Sequence, residues 1–462
     1  MSRSFLHVIA VVCGAAILLS GGAHVAASEE AKADTATATP LSASEMREIT
    51  LESYLEEVLG ANLSYAAQRY NVDIAEAEAA AARLWPNPTL ALSAGRDLTF
   101  HGKKAVDGSG QLVSQTLPEA RSISLSQPFD ISGKRHWRIR TADQTYKAVA
   151  ADLNSFLINL QLDAAAAFAE ALAARATLEQ QRKAAEYMSE LASVQHVRLK
   201  TGDISEADYL QSRIEALLLQ NDLKAAQADA TAAQYAMCTF LGRDSGLITL
   251  IPIGALQAPT HDYQLDQLVA QALDARADLV ALRHMRDAAQ YAVRLSKAER
   301  FGDIELSAIY THNPASSNII AGSPRYNELG VGLSTPLPLW NRNHYEIRKA
   351  QALFNQSRRQ LEAAELQTEV EIRAVLTHYR AALERVRQFQ DELLNSAETV
   401  LVTRRKSYEY GEISLLELLE AQRTANDIRK NYHNAIADAV KVHIEIQRAA
   451  ALTENPIFNT NQ

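Results

Sequence analysis

The chain has 462 residues, 47% of them hydrophobic, and a formal net charge of −9. A negative balance without a basic stripe argues against nucleic acid as a partner. Its two cysteines are Cys13 and Cys238, and the first falls in a leader segment, so no intramolecular disulfide is available and stability has to come from packing.

Residues 1–27 carry Arg3, an apolar run from Phe5 to Leu19 and a small-residue exit at Val25-Ala26-Ala27, the pattern of a cleavable signal peptide. The run is shorter than the roughly 20 apolar residues a spanning helix needs. Cys13 lacks the preceding small-residue pattern of a bacterial lipoprotein. Residues 28–45, with Thr35-Ala36-Thr37-Ala38-Thr39-Pro40, read as a flexible lead-in.

Residues 46–243 read as the first of two copies of one unit. Helices come first, then Trp85, then strands near 89–95 and 122–127. In the second of these, Ile123 and Leu125 alternate with Ser122, Ser124 and Ser126. Trp137 follows. Neither glycine nor proline occurs between Gly133 and Gly202, and either one inside a helix costs on the order of 1–3 kcal/mol. The stretch is therefore expected to be one helix of about 65–70 residues, about 100 Å long. Gly202-Asp203-Ile204-Ser205 turns the chain, and a helix of about 40 residues returns to Leu241.

Residues 244–262 read as a linker, and 263–451 as the second copy. Phe301 precedes a strand near 303–310, where Ile304, Leu306, Ala308 and Tyr310 face one way and Asp303, Glu305 and Ser307 the other. A strand near 329–335 follows, then Trp340. Residues from Leu339 to Tyr410 lack glycine and proline, as do those from Glu412 to Glu454, so another long helix, a turn at Gly411 and a return helix are expected. Residues 452–462 read as a loose tail.

The copies align directly. Ser126-Gln127-Pro128-Phe129 with Lys134, His136, Trp137, Ile139 and Arg140 recurs, 208 positions on, as Ser334-Thr335-Pro336-Leu337 with Arg342, His344, Tyr345, Ile347 and Arg348. Gly202-Asp203-Ile204-Ser205 recurs at a shift of 209 as Gly411-Glu412-Ile413-Ser414. More loosely, Leu51, Glu52, Arg69 and Asp73 match Leu265, Asp266, Arg283 and Asp287. Trp85, Trp137 and Trp340, with Phe301, occupy helix–strand junctions, where aromatic rings build the interfacial girdle of a membrane barrel. Four strands cannot close a barrel, and an open edge is not tolerated in lipid, so the chain must assemble with copies of itself. Three chains give 12 strands.

No zinc-protease, paired Cys, phosphate-loop or nucleophile-elbow motif occurs, so neither catalysis nor a cofactor nor a bound metal is expected. His136 and His344 each stand beside basic residues, a poor place for a cation, and are read as membrane-interface residues.

With its two-copy order of helix, two strands, long helix and returning helix, its glycine turns, and its strand-to-helix segments 126–135 and 336–343, nearly the whole mature chain resembles the outer-membrane efflux protein family, the TolC family. The two segments are most similar to the heavy-metal branch of CzcC type. The resemblance implies a mixed α and β membrane protein: a homotrimer with a 12-stranded outer-membrane β-barrel, continued by a long α-helical coiled-coil tunnel in the periplasm. It implies the exit duct of a tripartite pump, with outer-membrane lipid around the barrel, a periplasmic adaptor, and an inner-membrane, proton-driven RND-type transporter. Heavy-metal cations are the implied cargo.

Carried over residue by residue, the family's pore constriction falls on Glu417 and Glu420. These lie three apart on a helix, so three chains would set two carboxylate rings that favour cations. The family's gate falls on Tyr408 and Asp208, although a usual basic partner two residues after the second glycine is Ile413 here. The tips, Gly202 and Asp203 with Gly411 and Glu412, are the implied adaptor contacts. Two alternatives stay open: a duct for drugs or secreted proteins, and a periplasmic coiled-coil adaptor or scaffold.

Overall fold

The computed structural model describes residues 45–95, 104–106, 108–114, 120–242, 248–315 and 324–452. The expected signal peptide, the lead-in up to residue 44 and the tail from residue 453 lie outside the described residues. The chain divides into two units; among the described residues the smaller holds 45–47 and 248–249, and the larger holds the rest. Strand β1 (Glu45–Ile49) pairs with β6 (Ile248–Pro252) in a two-stranded sheet, so the expected linker contains a strand.

Within the larger unit, α1 (Leu51–Ala61) and α2 (Leu63–Ala82) lead to β2 (Thr89–Gly95), and β5 (Ala120–Phe129) leads into α3 (Lys134–Thr201) and α4 (Glu206–Phe240). Between β2 and β5 lies a small pair, β3 (Lys104–Val106) and β4 (Leu112–Ser114), whose strands are too short for period-two patterning to reveal. The second half repeats the order: α5 (Leu265–Ala275), α6 (Ala277–Ala298), β7 (Ile304–Asn313), β8 (Tyr326–Ser334), α7 (His344–Gln388), α8 (Leu394–Glu409) and α9 (Leu415–Ala450).

The 68-residue α3 matches the helix expected between the glycines. Its counterpart does not run unbroken, because a π-helical turn at Phe389–Leu393 separates α7 from α8. There the Phe389 ring packs on Tyr432 of α9, and the Gln390 amide donates to the Tyr432 hydroxyl at 3.0 Å. A π turn inserts one residue into the helix, and this tertiary contact coincides with the insertion.

Alanine-rich helix faces permit close approach. Ala165 and Ala169 of α3 meet Ala382 and Val386 of α7 and Ala435, Ile436, Ala439, Val440 and Ile444 of α9 in one buried cluster. A second joins Leu268 and Ala272 of α5 to Ile372, Leu376 and Tyr379 of α7 and to Ile446 of α9. Full burial of each Leu or Ile is worth roughly 1.5–3 kcal/mol. One window of α3 is apolar and long enough to cross a membrane by length and composition. The run from Ala164 to Ala173 is largely buried in the chain itself, so core packing accounts for its composition.

The four long strands form one antiparallel sheet in the order β2-β5-β7-β8. In register, Leu92, Ile123, Tyr310 and Leu329 form one cross-strand row, and Leu90, Leu125, Ala308 and Val331 the next. Side chains directly opposite share a face, so these rows make an apolar surface on which Leu329 and Val331 are 81% and 83% exposed. The other face carries Ser93, Ser122, Thr311 and Glu328 in one row and Ser126 with Ser307 in another. Among the described residues, β2 and β8 have no strand on their outer edges.

Candidate functional site

The ends of the two helical hairpins are built alike. Gly202 ends α3 in the left-handed region (φ 84°), and the Asp203 amide donates to the Arg198 carbonyl at 2.9 Å. Gly411 does the same after α8 (φ 78°), with the Glu412 amide donating to the Ser407 carbonyl at 2.8 Å. A side chain with a Cβ is strained at such φ, and the bonds satisfy carbonyls left over at the helix end. Gly202, Asp203, Gly411 and Glu412 are all exposed.

The return helices start on matching caps. Ser205 Oγ accepts the Asp208 amide and donates to the Asp208 carboxylate at 2.7 Å. Ser414 Oγ likewise accepts the Glu417 amide at 3.4 Å and donates to the Glu417 carboxylate at 3.3 Å. Ser-x-x-Asp and Ser-x-x-Glu are readable as capping boxes in the sequence. Asp208 and Glu417, assigned separately to gate and constriction, thus occupy equivalent positions and share a local task. Glu417 is also gripped by Arg404 of α8 at 2.6 Å, whereas Glu420, one turn on, is exposed.

Tyr408 and Asp208 do not bond to each other within one chain. The Tyr408 hydroxyl accepts from the Gln195 amide of α3 at 2.7 Å, and Gln195 is 1% exposed. Tyr408 also packs against a cluster of Ala184, Ala185, Met188, Ala216, Leu219, Leu415 and Leu419 that joins the two hairpins. Beside it, Glu215 of α4 is clasped by the Arg423 guanidinium of α9 through two hydrogen bonds, one of 2.7 Å. Gln195, Glu215 and Arg423 were not singled out from sequence, because pairs separated by 213 and 208 residues leave no local pattern.

At the opposite end of the hairpins, the strand junctions gather the aromatic residues. Trp340 is 94% exposed, and Trp85 and Phe301 are also exposed. Trp137 differs: it is half-buried, stacked on Tyr291 at 6.1 Å with the Arg294 guanidinium 4.9 Å from its ring centre. The Arg135 guanidinium lies 4.7 Å from the Trp85 ring centre. Burial pushes the Asp130 carboxyl up, but the Arg135, Lys134 and Ser132 amides outweigh it and hold it below its ordinary value. His136 packs edge-on against Trp137, and among the described residues no cluster of three or more His, Cys, Asp or Glu side chains suits a metal ion.

Comparison with known proteins gives the family and the fold. The family model described as outer membrane efflux protein matches residues 54–243 and 268–451. The cobalt-zinc-cadmium resistance protein CzcC of Cupriavidus metallidurans is 21% identical over 402 residues, covering 87% of this chain and 89% of that protein. The nickel-cobalt-cadmium resistance protein NccC of Alcaligenes xylosoxydans xylosoxydans is 28% identical over 335 residues, covering 71% and 69%. Among solved structures, the CmeC outer membrane channel of Campylobacter jejuni superimposes with a TM-score of 0.71 at 14% identity, over 88% of this chain and 87% of that one.

Proposed function

This chain belongs to the outer membrane efflux protein family and is an outer-membrane efflux channel with its helices in the periplasm; from that premise we propose that three copies form the exit duct of a tripartite pump for heavy-metal cations. The observation that carries the trimer is the four-stranded sheet with one apolar face and two open edges. In lipid each unpaired backbone group would cost several kcal/mol, so edge must meet edge. A ten-residue strand is about 33 Å long, and at the usual tilt it crosses the roughly 25 Å apolar band of an outer membrane.

The halves 46–243 and 263–451 are two products of a tandem duplication, joined by 244–262. The duct is not an enzyme and has no cofactor of its own; energy comes from a proton-driven RND-type transporter in the inner membrane through a periplasmic adaptor. The exposed tips, Gly202, Asp203, Gly411 and Glu412, are where that adaptor docks. Trp85, Phe301 and Trp340 sit at the lipid boundary, with Trp137 bracing the helices behind them. Glu420, with Glu417, lines the narrow periplasmic end, and Tyr408 and Asp208 belong to its gate, a contact between the two being one between neighbouring chains.

Metal cargo is favoured by the names of the two resistance proteins and by carboxylates at the constriction, which draw cations. The test is growth of the host with the gene deleted, across graded zinc, cobalt, cadmium and nickel and across a panel of drugs. Selective metal sensitivity, restored by the gene, is the expected result. Drug sensitivity alone would reassign the cargo.

A further inference from the structure

A cavity of about 690 Å³ lies at the junction of helices and strands, between the end of α2, the start of α3 and the entry to β7. Two guanidiniums are fixed at its rim. Arg135 donates from Nε and Nη2 to the Arg83 carbonyl and lies over the Trp85 ring. Arg138 donates from Nε to the Ala82 carbonyl at 3.4 Å. Both are therefore held by carbonyls at the C-terminal end of α2, where cations are also favoured by the helix dipole. Arginine has five N–H donors, and the remaining ones of this pair take no partner among the described residues.

The carboxylates around the cavity are unequally occupied. Asp130 accepts the Ser132 and Arg135 amides, and Asp303 lies 2.8 Å from Lys134 Nζ. Glu78, one turn before Ala82 on α2, is exposed. Spare capacity thus consists of two preorganised guanidiniums and one carboxylate, walled by Leu84 and Trp85, both more than half exposed. The second half has no counterpart: at a shift of 208, Arg135 becomes Asn343 and Arg138 becomes Glu346. There the end of α6 is capped by Asn343, whose amide donates to the Ser296 carbonyl at 2.8 Å.

We propose that this cavity binds the headgroup of a zwitterionic aminophospholipid, its phosphate on Arg135 and Arg138, its ammonium toward Glu78 and its chains along Leu84 and Trp85. Arginine pairs hold phosphate oxygens through charge-assisted forks, and a carboxylate beside them favours an amine-bearing headgroup over an anionic one. The inference rests on the outer-membrane reading, since only there does the cavity lie at a lipid surface.

The test uses the full-length protein purified in detergent, with its assembly state read first on a mild gel. Melting temperature is then followed against added phosphatidylethanolamine, phosphatidylglycerol, diacylglycerol and inorganic phosphate, for wild type, R138Q, R135Q/R138Q, E78Q and the second-half control R342Q. Phosphatidylethanolamine is expected to stabilise wild type and R342Q at concentrations about tenfold lower than R138Q, a loss of one charged contact. E78Q should lose the preference for phosphatidylethanolamine over phosphatidylglycerol. R138Q keeps Arg135 and its bonds to Arg83, so it serves if the double variant fails to fold. Equal stabilisation by diacylglycerol, or by inorganic phosphate, would overturn the proposal, as would an unshifted R138Q. Failure to assemble at all would instead strike the outer-membrane duct reading.

Discussion

Arg423 on α9 clasps Glu215 on α4 with two hydrogen bonds, and Glu215 is 4% exposed. The pair ties the first hairpin to the second near the helical tips. Because the carboxylate is buried and the guanidinium is half outside, the partners are not interchangeable in what they leave behind. Replacing Arg423 by Gln strands a buried charge and is expected to cost about 3 kcal/mol, the lower end for a broken buried pair. The double variant E215Q/R423Q should recover part of it. Thermal denaturation of the four members of the cycle reads the coupling; additive losses would mean the pair is not coupled.

Gln195 and Tyr408 make the second tie between hairpins. Y408F removes the hydroxyl that accepts from the Gln195 amide nitrogen, whose side chain is buried, and should cost about 1–2 kcal/mol. If the tie also holds the narrow end closed, Y408F raises passive entry of a bulky hydrophilic dye into cells, and Q195A does the same. Unchanged dye entry in both would remove Tyr408 from the gate while leaving its packing role.

The long helices and the strands were legible because their signals are local. Absence of glycine and proline from 134 to 201 marks α3, and Ile123 and Leu125 alternating with serines marks β5. Strand ends were read two or three residues short, since β7 runs on to Asn313 and β8 begins at Tyr326. The π turn at Phe389–Leu393 escaped because it goes with Tyr432, more than forty residues away. Ser414-x-x-Glu417 was readable as a helix start, a local role that the structure gives this carboxylate together with an arginine partner. The partner of Tyr408 was least legible, because Tyr408 meets Gln195 across two hairpins.

The two glutamates should therefore behave differently. Glu417 is engaged by Arg404 and Ser414, while Glu420 is exposed. E420Q is expected to reduce cation preference in bilayer conductance, and E417Q to reduce it less while lowering stability by about 0.5 kcal/mol through the lost ion pair with Arg404. R404Q frees the Glu417 carboxylate and should raise cation preference. Equal selectivity loss from both glutamates would place them in the pore on the same footing.

His443 sets an acid limit on stability. It is buried among His261, Tyr263 and Tyr379, its Nε2 has no hydrogen-bond partner among the described residues, and burial, with His261 second, pushes its pKa down to about 4. The unfolded imidazole, near 6.5, binds the proton first. Stability from this group is thus complete above about pH 6.5 and is lost as pH falls toward 4, by about 3 kcal/mol. H443F keeps an aromatic ring without a titratable nitrogen. Its melting temperature should fall less than that of wild type between pH 7 and pH 4.5, and parallel curves would rule out His443 as the source.

Closure by three copies has a direct readout at the strand edges. Leu90 on β2 and Leu329, Val331 and Leu333 on β8 lie on the apolar face of the two edge strands, and native Cys238 is buried. Cysteine at position 90 combined in turn with cysteine at 329, 331 or 333 places one thiol on each edge. If β2 of one copy pairs with β8 of the next, the registers compatible with a disulfide require Cα atoms within about 7 Å, so one combination should crosslink far better than the others. Because each chain then carries both halves of a head-to-tail contact, oxidation must yield a ladder that stops at three and closes into a ring. A ladder ending at two, or running past three, would give the barrel a different number of chains, and no crosslink in any combination would mean these edges do not meet.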